Sequence, residues 1–167
     1  MTPAFDVAIV GAGAAGLFCA GIAGQRGLRV LLLDHAPKVA EKIRISGGGR
    51  CNFTNRELDP HQPQRHFVSQ NPAFCRSALA RYTPADFIAL LQRHGVAWQE
   101  KHKGQLFCTR SAQDLIDLLL RECAAGGVTH WQPCRVLHVA YSDATHAAGA
   151  AALPYTLQTE RGSVVCR

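Results

Sequence analysis

The residues best suited to chemistry open the chain: Val7-Ala-Ile-Val-Gly11-Ala-Gly13-Ala-Ala-Gly16-Leu17, with Asp34 following 23 residues after Gly11. A short apolar run leads straight into G-x-G-x-x-G, and an acid closes the next apolar run, Val30-Leu31-Leu32-Leu33. This is the layout of a dinucleotide-binding βαβ unit. Gly11 allows a tight turn, Gly13 lets the backbone approach a pyrophosphate, and Gly16 lets the new helix pack closely on the strand. The helix start offers unpaired N–H groups and a partial positive charge to phosphate. Asp34 can accept hydrogen bonds from an adenosine ribose, and its carboxylate would repel the 2′-phosphate of NADP.

A second glycine-rich stretch runs Ser46-Gly47-Gly48-Gly49-Arg50-Cys51-Asn52-Phe53-Thr54-Asn55 and is too polar for a core element. Glycines beside a cation suit an anion, which gives Arg50 a reason to be there. Arg50 would also favour the thiolate of Cys51, the weak candidate for a redox or nucleophilic group, although most free cysteines simply pack as small apolar residues. Asn52, Thr54 and Asn55 can bond a ligand edge or their own loop. None of the seven cysteines forms C-x-x-C, and no Cys/His group has zinc-ligand spacing, so no metal site is expected. The eight histidines show no catalytic pairing.

The elements that must position these residues follow from pattern. The first βαβ unit covers residues 4–34, its helix starting near Gly13 and stopping before Gly27. His35-Ala-Pro37 turns the chain, and Lys42-Ile-Arg44-Ile45 alternates into the second loop, 46–55. A proline-rich loop leads to a helical stretch over 72–126, where Asn71-Pro72 opens a pattern with Phe74, Ala78 and Leu79 on one face. Thr83-Pro84 is a cap and first-turn pair, and Ser111 caps a further helix that ends at Gly126-Gly127. Between them, 96–107 alternates as an exposed hairpin or extended stretch. Strands are expected over 128–139, interrupted by Pro133, then a small-residue loop at 144–152 and a hairpin at 155–166.

At 167 residues the chain is the size of one domain. Its net charge of +6 comes from scattered residues with no basic run, so no nucleic-acid partner and no membrane partner is expected. The 18 residues from Val7 to Gly24 carry no charge, but five glycines, a preceding Asp6 and no basic leader argue against a membrane span or signal peptide. An odd number of cysteines without an export signal points to reduced thiols in a cytoplasm. The sheet begun at residue 4 gains few further strands before the chain ends, which reads as a truncated domain.

Val10-Gly-Ala-Gly-Ala-Ala-Gly-Leu17, followed by Ile45-Ser-Gly-Gly-Gly-Arg-Cys-Asn-Phe-Thr-Asn55, closely resembles the BaiN/YhiN-like (aminoacetone oxidase-like) bacterial flavoproteins. Asn71-Pro-Ala-Phe-Cys-Arg-Ser-Ala-Leu79 and Gly104-Gln-Leu-Phe107 with Ser111-Ala112 are also similar, so the likeness spans nearly the whole chain as the N-terminal part of that family. The resemblance implies an α/β, Rossmann-like FAD/NAD(P)-binding domain of the glutathione-reductase type, 1–167, in a flavin-linked oxidoreductase with NAD(P)H as the candidate electron donor. It implies that Gly11, Gly13, Ala14, Ala15 and Gly16 hold the pyrophosphate and that Asp34, with His35 beside it, holds the ribose. Lys42, Arg44, Ser46, Gly47, Gly48, Gly49, Arg50, Cys51 and Asn52 map to the loop near the pyrophosphate and flavin, and Val136 to a main-chain contact with adenine. The substrate would be a small molecule that the residues do not name. The competing expectations are a non-catalytic fragment and an NAD-binding domain without flavin.

Overall fold

The computed structural model describes residues 2–142 and 153–167, so the small-residue loop expected at 144–152 lies outside the described residues. The described chain gathers into two compact units, Met1–Ile43 with Leu119–Arg167, and Arg44–Leu118.

In the first unit the opening strand is bent. β1 (Ala4–Phe5) and β2 (Val7–Val10) are separated by Asp6 and belong to different sheets. Asp6 causes the break: its carboxylate accepts from the Arg29 N–H at 2.9 Å and from the guanidinium at 3.2 Å, while Asp6 and Val7 both donate to the Arg29 carbonyl. β2 then pairs in parallel with β3 (Val30–Leu33), and β3 pairs in parallel with β7 (Thr129–Trp131). A strand buried on both faces needs apolar residues throughout, and all four residues of β3 are buried. Between β2 and β3, α1 (Ala14–Gln25) packs back on the sheet.

The last turns of α5 (Ala112–Ala125) approach α1 so closely that a Cβ on Gly24 would lie 2.4 Å from the Gly126 carbonyl oxygen. Cys123 adds to this contact by donating its thiol to the Leu17 carbonyl at 3.2 Å. The other sheet runs β1-β10-β9-β8, from β8 (Val136–Tyr141), β9 (Tyr155–Thr159) and β10 (Gly162–Cys166). Leu31, Leu33, Cys134, Leu157, Val164 and Cys166 join the two sheets of this unit in one core cluster. The expected hairpin at 155–166 is present, and β8 runs two residues past the expected end at 139.

The second unit holds the sheet β4-β6-β5, formed by β4 (Asn52–Asn55), β5 (Trp98–Glu100) and β6 (Gln105–Cys108), all antiparallel. The expected helical stretch is therefore split by a hairpin, and the hairpin is not an exposed one. β6 is the central strand, with Leu106, Phe107 and Cys108 at 6% exposure or less. The second glycine loop is likewise only half a loop, because Asn52–Asn55 has a strand partner. Lys42-Ile-Arg44-Ile45 forms not an extended run but a short helix, α2 (Glu41–Ile45), entered through Ala40 in a left-handed conformation (φ 57°).

Pro72–Cys75 makes a single 3-10 turn before α3 (Arg76–Arg81). Phe74 consequently falls outside α3 and is 87% exposed instead of sharing a buried face. α4 (Pro84–Arg93) opens on a capping box: Thr83 Oγ1 accepts from the Asp86 N–H, and Asp86 accepts from the Thr83 N–H at 2.7 Å. Ser111 Oγ accepts from the Gln113 N–H at 3.1 Å at the start of α5, as its type predicts.

Candidate functional site

In the first unit the turn from β2 into α1 carries the expected glycines. Gly11 sits at φ 109°, a conformation costly for any side chain, and its N–H donates to the Leu33 carbonyl at 2.7 Å. Gly16 is required by packing, since a Cβ there would lie 1.8 Å from the Gly11 carbonyl oxygen. Gly13 differs from both. It is the N-cap of α1 with an ordinary φ of −82°, and a Cβ there would meet no protein atom within 4 Å.

No side chain caps α1, and no acid occupies its first turn. The leading N–H groups of a helix have no intrahelical acceptor. The start of α1, with Ala14 and Ala15 exposed, therefore presents donors and the positive end of the helix dipole to whatever lies beyond.

Asp34 stands at the end of β3 and is tied to that turn. Its Oδ2 accepts from the Ala12 N–H at 2.6 Å and its Oδ1 from the Ala36 N–H at 2.8 Å; His35 Nδ1 lies 3.6 Å from Oδ1. A carboxylate has about four acceptor positions, so two backbone donors fix its orientation and leave capacity for hydroxyl groups. Ala12 is held from its other side as well, through its carbonyl and the Ala40 N–H at 3.0 Å. The Cys134 N–H donates to the Asp34 carbonyl at 2.7 Å, so the residue after β3 is tied to the segment that leads into β8, where Val136 is half-buried against the core. Glycine loop, Asp34 and the approach to Val136 are thus joined by main-chain bonds. Lys42, in the same unit, is exposed on α2.

Sequence reasoning missed Ala12, Ala36 and Ala40, which act through their main chains. Side-chain type carries no signal for that role.

In the second unit Gly47, Gly48 and Gly49 are consecutive left-handed residues (φ 57°, 66° and 81°), followed by Arg50 and a left-handed Cys51 (φ 50°). The Cys51 N–H closes the turn on the Ser46 carbonyl at 3.1 Å. Gly47 has no room for a side chain, as a Cβ would lie 2.7 Å from the Phe107 ring. Arg50 is exposed, its carbonyl accepting from the Cys108 N–H at 2.9 Å, and Arg44 bonds Gln113 Oε1. Asn52 is exposed; turned about its amide, it donates to the Thr54 and Leu106 carbonyls, so it holds its own strand.

Cys51 is buried, and that burial pushes its thiol pKa up, outweighing a hydrogen bond from Ser46 that lowers it. The activation that Arg50 would favour is thereby opposed. Cys108 is pushed up to about 12, chiefly by burial and next by the nearby Cys51. All seven cysteines are free thiols and five are buried. Among the described residues no three His, Cys, Asp or Glu side chains gather as a metal-ion ligand set, and no helix is long and apolar enough to cross a membrane.

This geometry can be set beside known proteins. The family model described as HI0933-like protein Rossmann domain matches residues 5–160. A protein of Escherichia coli (strain K12) named ribosomal RNA dihydrouridine synthase is 55% identical over 136 residues, 81% of this chain and 33% of that protein. The protein of the same name from Haemophilus influenzae (strain ATCC 51907 / DSM 11121 / KW20 / Rd) is 50% identical over 115 residues, 69% of this chain and 28% of that one. The chain spans about a third of the length of these relatives. Among solved structures, glycine oxidase from Geobacillus kaustophilus superposes with a TM-score of 0.58 at 15% identity, over 99% of this chain and 54% of that one. At that identity the likeness is one of fold, and the fold is the Rossmann-like FAD/NAD(P)-binding one that the first glycine motif predicts.

Proposed function

The chain belongs to the HI0933-like Rossmann family, and from that premise we propose that it is the FAD-binding portion of a flavin-dependent oxidoreductase. The observation that carries this reading is Gly13, which neither backbone conformation nor protein packing requires to be glycine. It borders an uncapped helix start, and an approaching pyrophosphate supplies the missing reason for a bare Cα. In this reading the N–H groups of Gly13 to Gly16 bind the pyrophosphate, Asp34 orients the adenosine ribose, and the main chain at Val136 meets adenine.

FAD, when bound, supplies the hydride and electron steps. The protein's own part is to hold the cofactor and exclude rivals; the Asp34 carboxylate repels a 2′-phosphate, so NADP is a poor occupant of this turn. We assign NAD(P)H as the electron donor and a uridine of ribosomal RNA as the group reduced. The second assignment is supported by the names of the two relatives at 55% and 50% identity. This assignment departs from the expectation of no nucleic-acid partner drawn from the scattered charge, and those names are what supports it.

The test is a visible spectrum of the purified chain after loading with FAD and removing the excess. Protein-bound bands near ~370 and ~450 nm, the oxidised-flavin signature of a cofactor that carries the chemistry, are expected. A folded, colourless protein would reject the FAD assignment for this chain. Anaerobic bleaching of the longer-wavelength band by NADH or NADPH then tests the donor.

A further inference from the structure

We propose that residues 60–82 of the second unit form a binding surface for single-stranded RNA, with Phe74 as a stacking platform and Arg65 and Arg81 as phosphate contacts. The proposal rests on the reading above that RNA is the substrate, and it places part of the RNA on a surface to which no role has yet been given.

The segment is built, not loose. Pro63 is fully buried beneath it, and the 3-10 turn Pro63–Arg65 packs against the turn Pro72–Cys75. Arg76 donates a guanidinium N–H to the His61 carbonyl at 3.2 Å, tying the start of α3 to the preceding loop. At the far end Tyr82 packs edge-on against Phe87, ring centroids 6.3 Å apart, and Phe87 packs in turn on Phe53 of β4 at 5.8 Å. These anchors face inward and decide what is left outside.

What is left outside is unusual in combination. Phe74 is 87% exposed and Val68 fully so, and Arg65, Arg76 and Arg81 are exposed in the same segment. No Asp or Glu occurs between Asp59 and Asp86. Single exposed apolar residues are ordinary on protein surfaces. An exposed ring in a segment that also exposes three arginines and contains no Asp or Glu is instead what a splayed base and its phosphates require: aromatic stacking plus cations along the backbone. The arginines stand 11 and 5 positions apart, so no basic run exists in the sequence; the turns and helix that carry them pack on one another.

The experiment is fluorescence anisotropy of the full chain with a labelled, uridine-rich single-stranded RNA, titrated over a range of salt concentrations. Phe74→Ala is expected to weaken binding roughly 5- to 150-fold, the value of one stacked base. An Arg65→Gln/Arg81→Gln double variant should flatten the log-affinity against log-salt slope by about 1.4, from two lost phosphate contacts. Arg26→Gln, at an exposed position in the first unit, should change neither. All of these side chains are exposed, and an unchanged thermal melt checks that each variant folds.

Binding that all variants share with the wild type would overturn this surface while leaving RNA as the substrate. No RNA binding by the wild type would overturn both. An acidic peptide that binds as tightly as RNA, with Phe74→Ala without effect, would reduce the segment to a charged patch and overturn the proposal.

Discussion

Gly13 and Gly16 stand three residues apart in one motif, yet the structure gives them separable duties, and two alanine variants test that separation. At Gly16 a new Cβ would meet Gly11 O at 1.8 Å, Gly11 C at 3.1 Å and Ile9 Cγ2 at 3.4 Å. Two of these atoms are main chain and cannot rotate aside. β2 and α1 would have to part by more than 1 Å to bring the closest contact to a tolerable 3.0 Å. Overpacking of this kind costs about 1–3 kcal/mol, and the alanine's helix propensity returns up to about 1 kcal/mol of it. A 1.8 Å contact with main chain puts the cost at the upper end, about 3 kcal/mol, and the net loss of about 2 kcal/mol lowers Tm by roughly 4–8 °C in a chain of this size.

At Gly13 the same methyl meets no protein atom within 4 Å, and φ is −82°. Only the weaker N-cap preference of alanine is lost, about 0.5–1 kcal/mol. The methyl occupies the space assigned to the pyrophosphate, and a misfit worth about 1–3 kcal/mol there weakens FAD roughly 5- to 150-fold. Differential scanning fluorimetry and FAD titration by flavin fluorescence, run on both variants, give the two readouts. Gly16→Ala should lose the more stability, and Gly13→Ala should lose FAD with a Tm fall of only about 1–4 °C. Wild-type FAD affinity in Gly13→Ala would remove the phosphate from this turn, and a wild-type Tm in Gly16→Ala would refute the packing argument.

Asp34→Ala strands the Ala12 and Ala36 N–H groups and should cost about 2–3 kcal/mol of stability along with FAD affinity, read by the same two assays. Thr83→Ala breaks the capping box of α4 and should cost about 1 kcal/mol, a Tm fall of roughly 2–4 °C, with FAD binding untouched. Burial pushes Cys108 up to about 12 and Cys123 up to about 11, above the ordinary thiol value, so both stay protonated in the fold while the unfolded chain ionises. Their stabilising effect is complete below about pH 8.5 and declines as pH rises toward 11–12, by at most about 1.4 kcal/mol per pH unit for each thiol. Urea midpoints measured from pH 8 to 10.5 should therefore fall, and Cys108→Ser and Cys123→Ser should flatten the decline. Iodoacetamide at pH 8 should modify exposed Cys19 well before either buried thiol, as peptide mapping would show.

The boundaries that sequence chemistry marks directly were the ones most readily legible. Thr83 with Asp86, Ser111, and the glycines after α1 and α5 each solve a local problem of unpaired main-chain groups, and each lies where its type predicts. What stayed hidden depends on partners distant in the chain. Asn52–Asn55 reads as loop because its polar residues suit turns; its strand exists because β6 lies alongside, some fifty residues later. Phe74 has the spacing of a helix face, yet the 3-10 geometry of Pro72–Cys75 turns it outward. The buried strand β6 alternates with its charged neighbours in sequence, and its central place in a three-stranded sheet overrides that pattern.

The same division runs through the site. Asp34 was legible as the acid at the tip of the second strand, and its distance from the glycines is what the fingerprint demands. Its two partners, the N–H groups of Ala12 and Ala36, were not, because any non-proline residue could supply them. They give Asp34 a second task. A carboxylate held by the Ala12 N–H is a brace across the first turn as well as the proposed ribose acceptor, so its charge contributes to the folded loop before any ligand arrives. Asp34→Asn separates the two tasks: an amide presents one acceptor oxygen where the carboxylate presents two, and its NH2 would face a main-chain donor. Stability should then fall even without FAD. Unchanged stability of the ligand-free variant would confine Asp34 to the ribose and leave the turn held by its glycines alone.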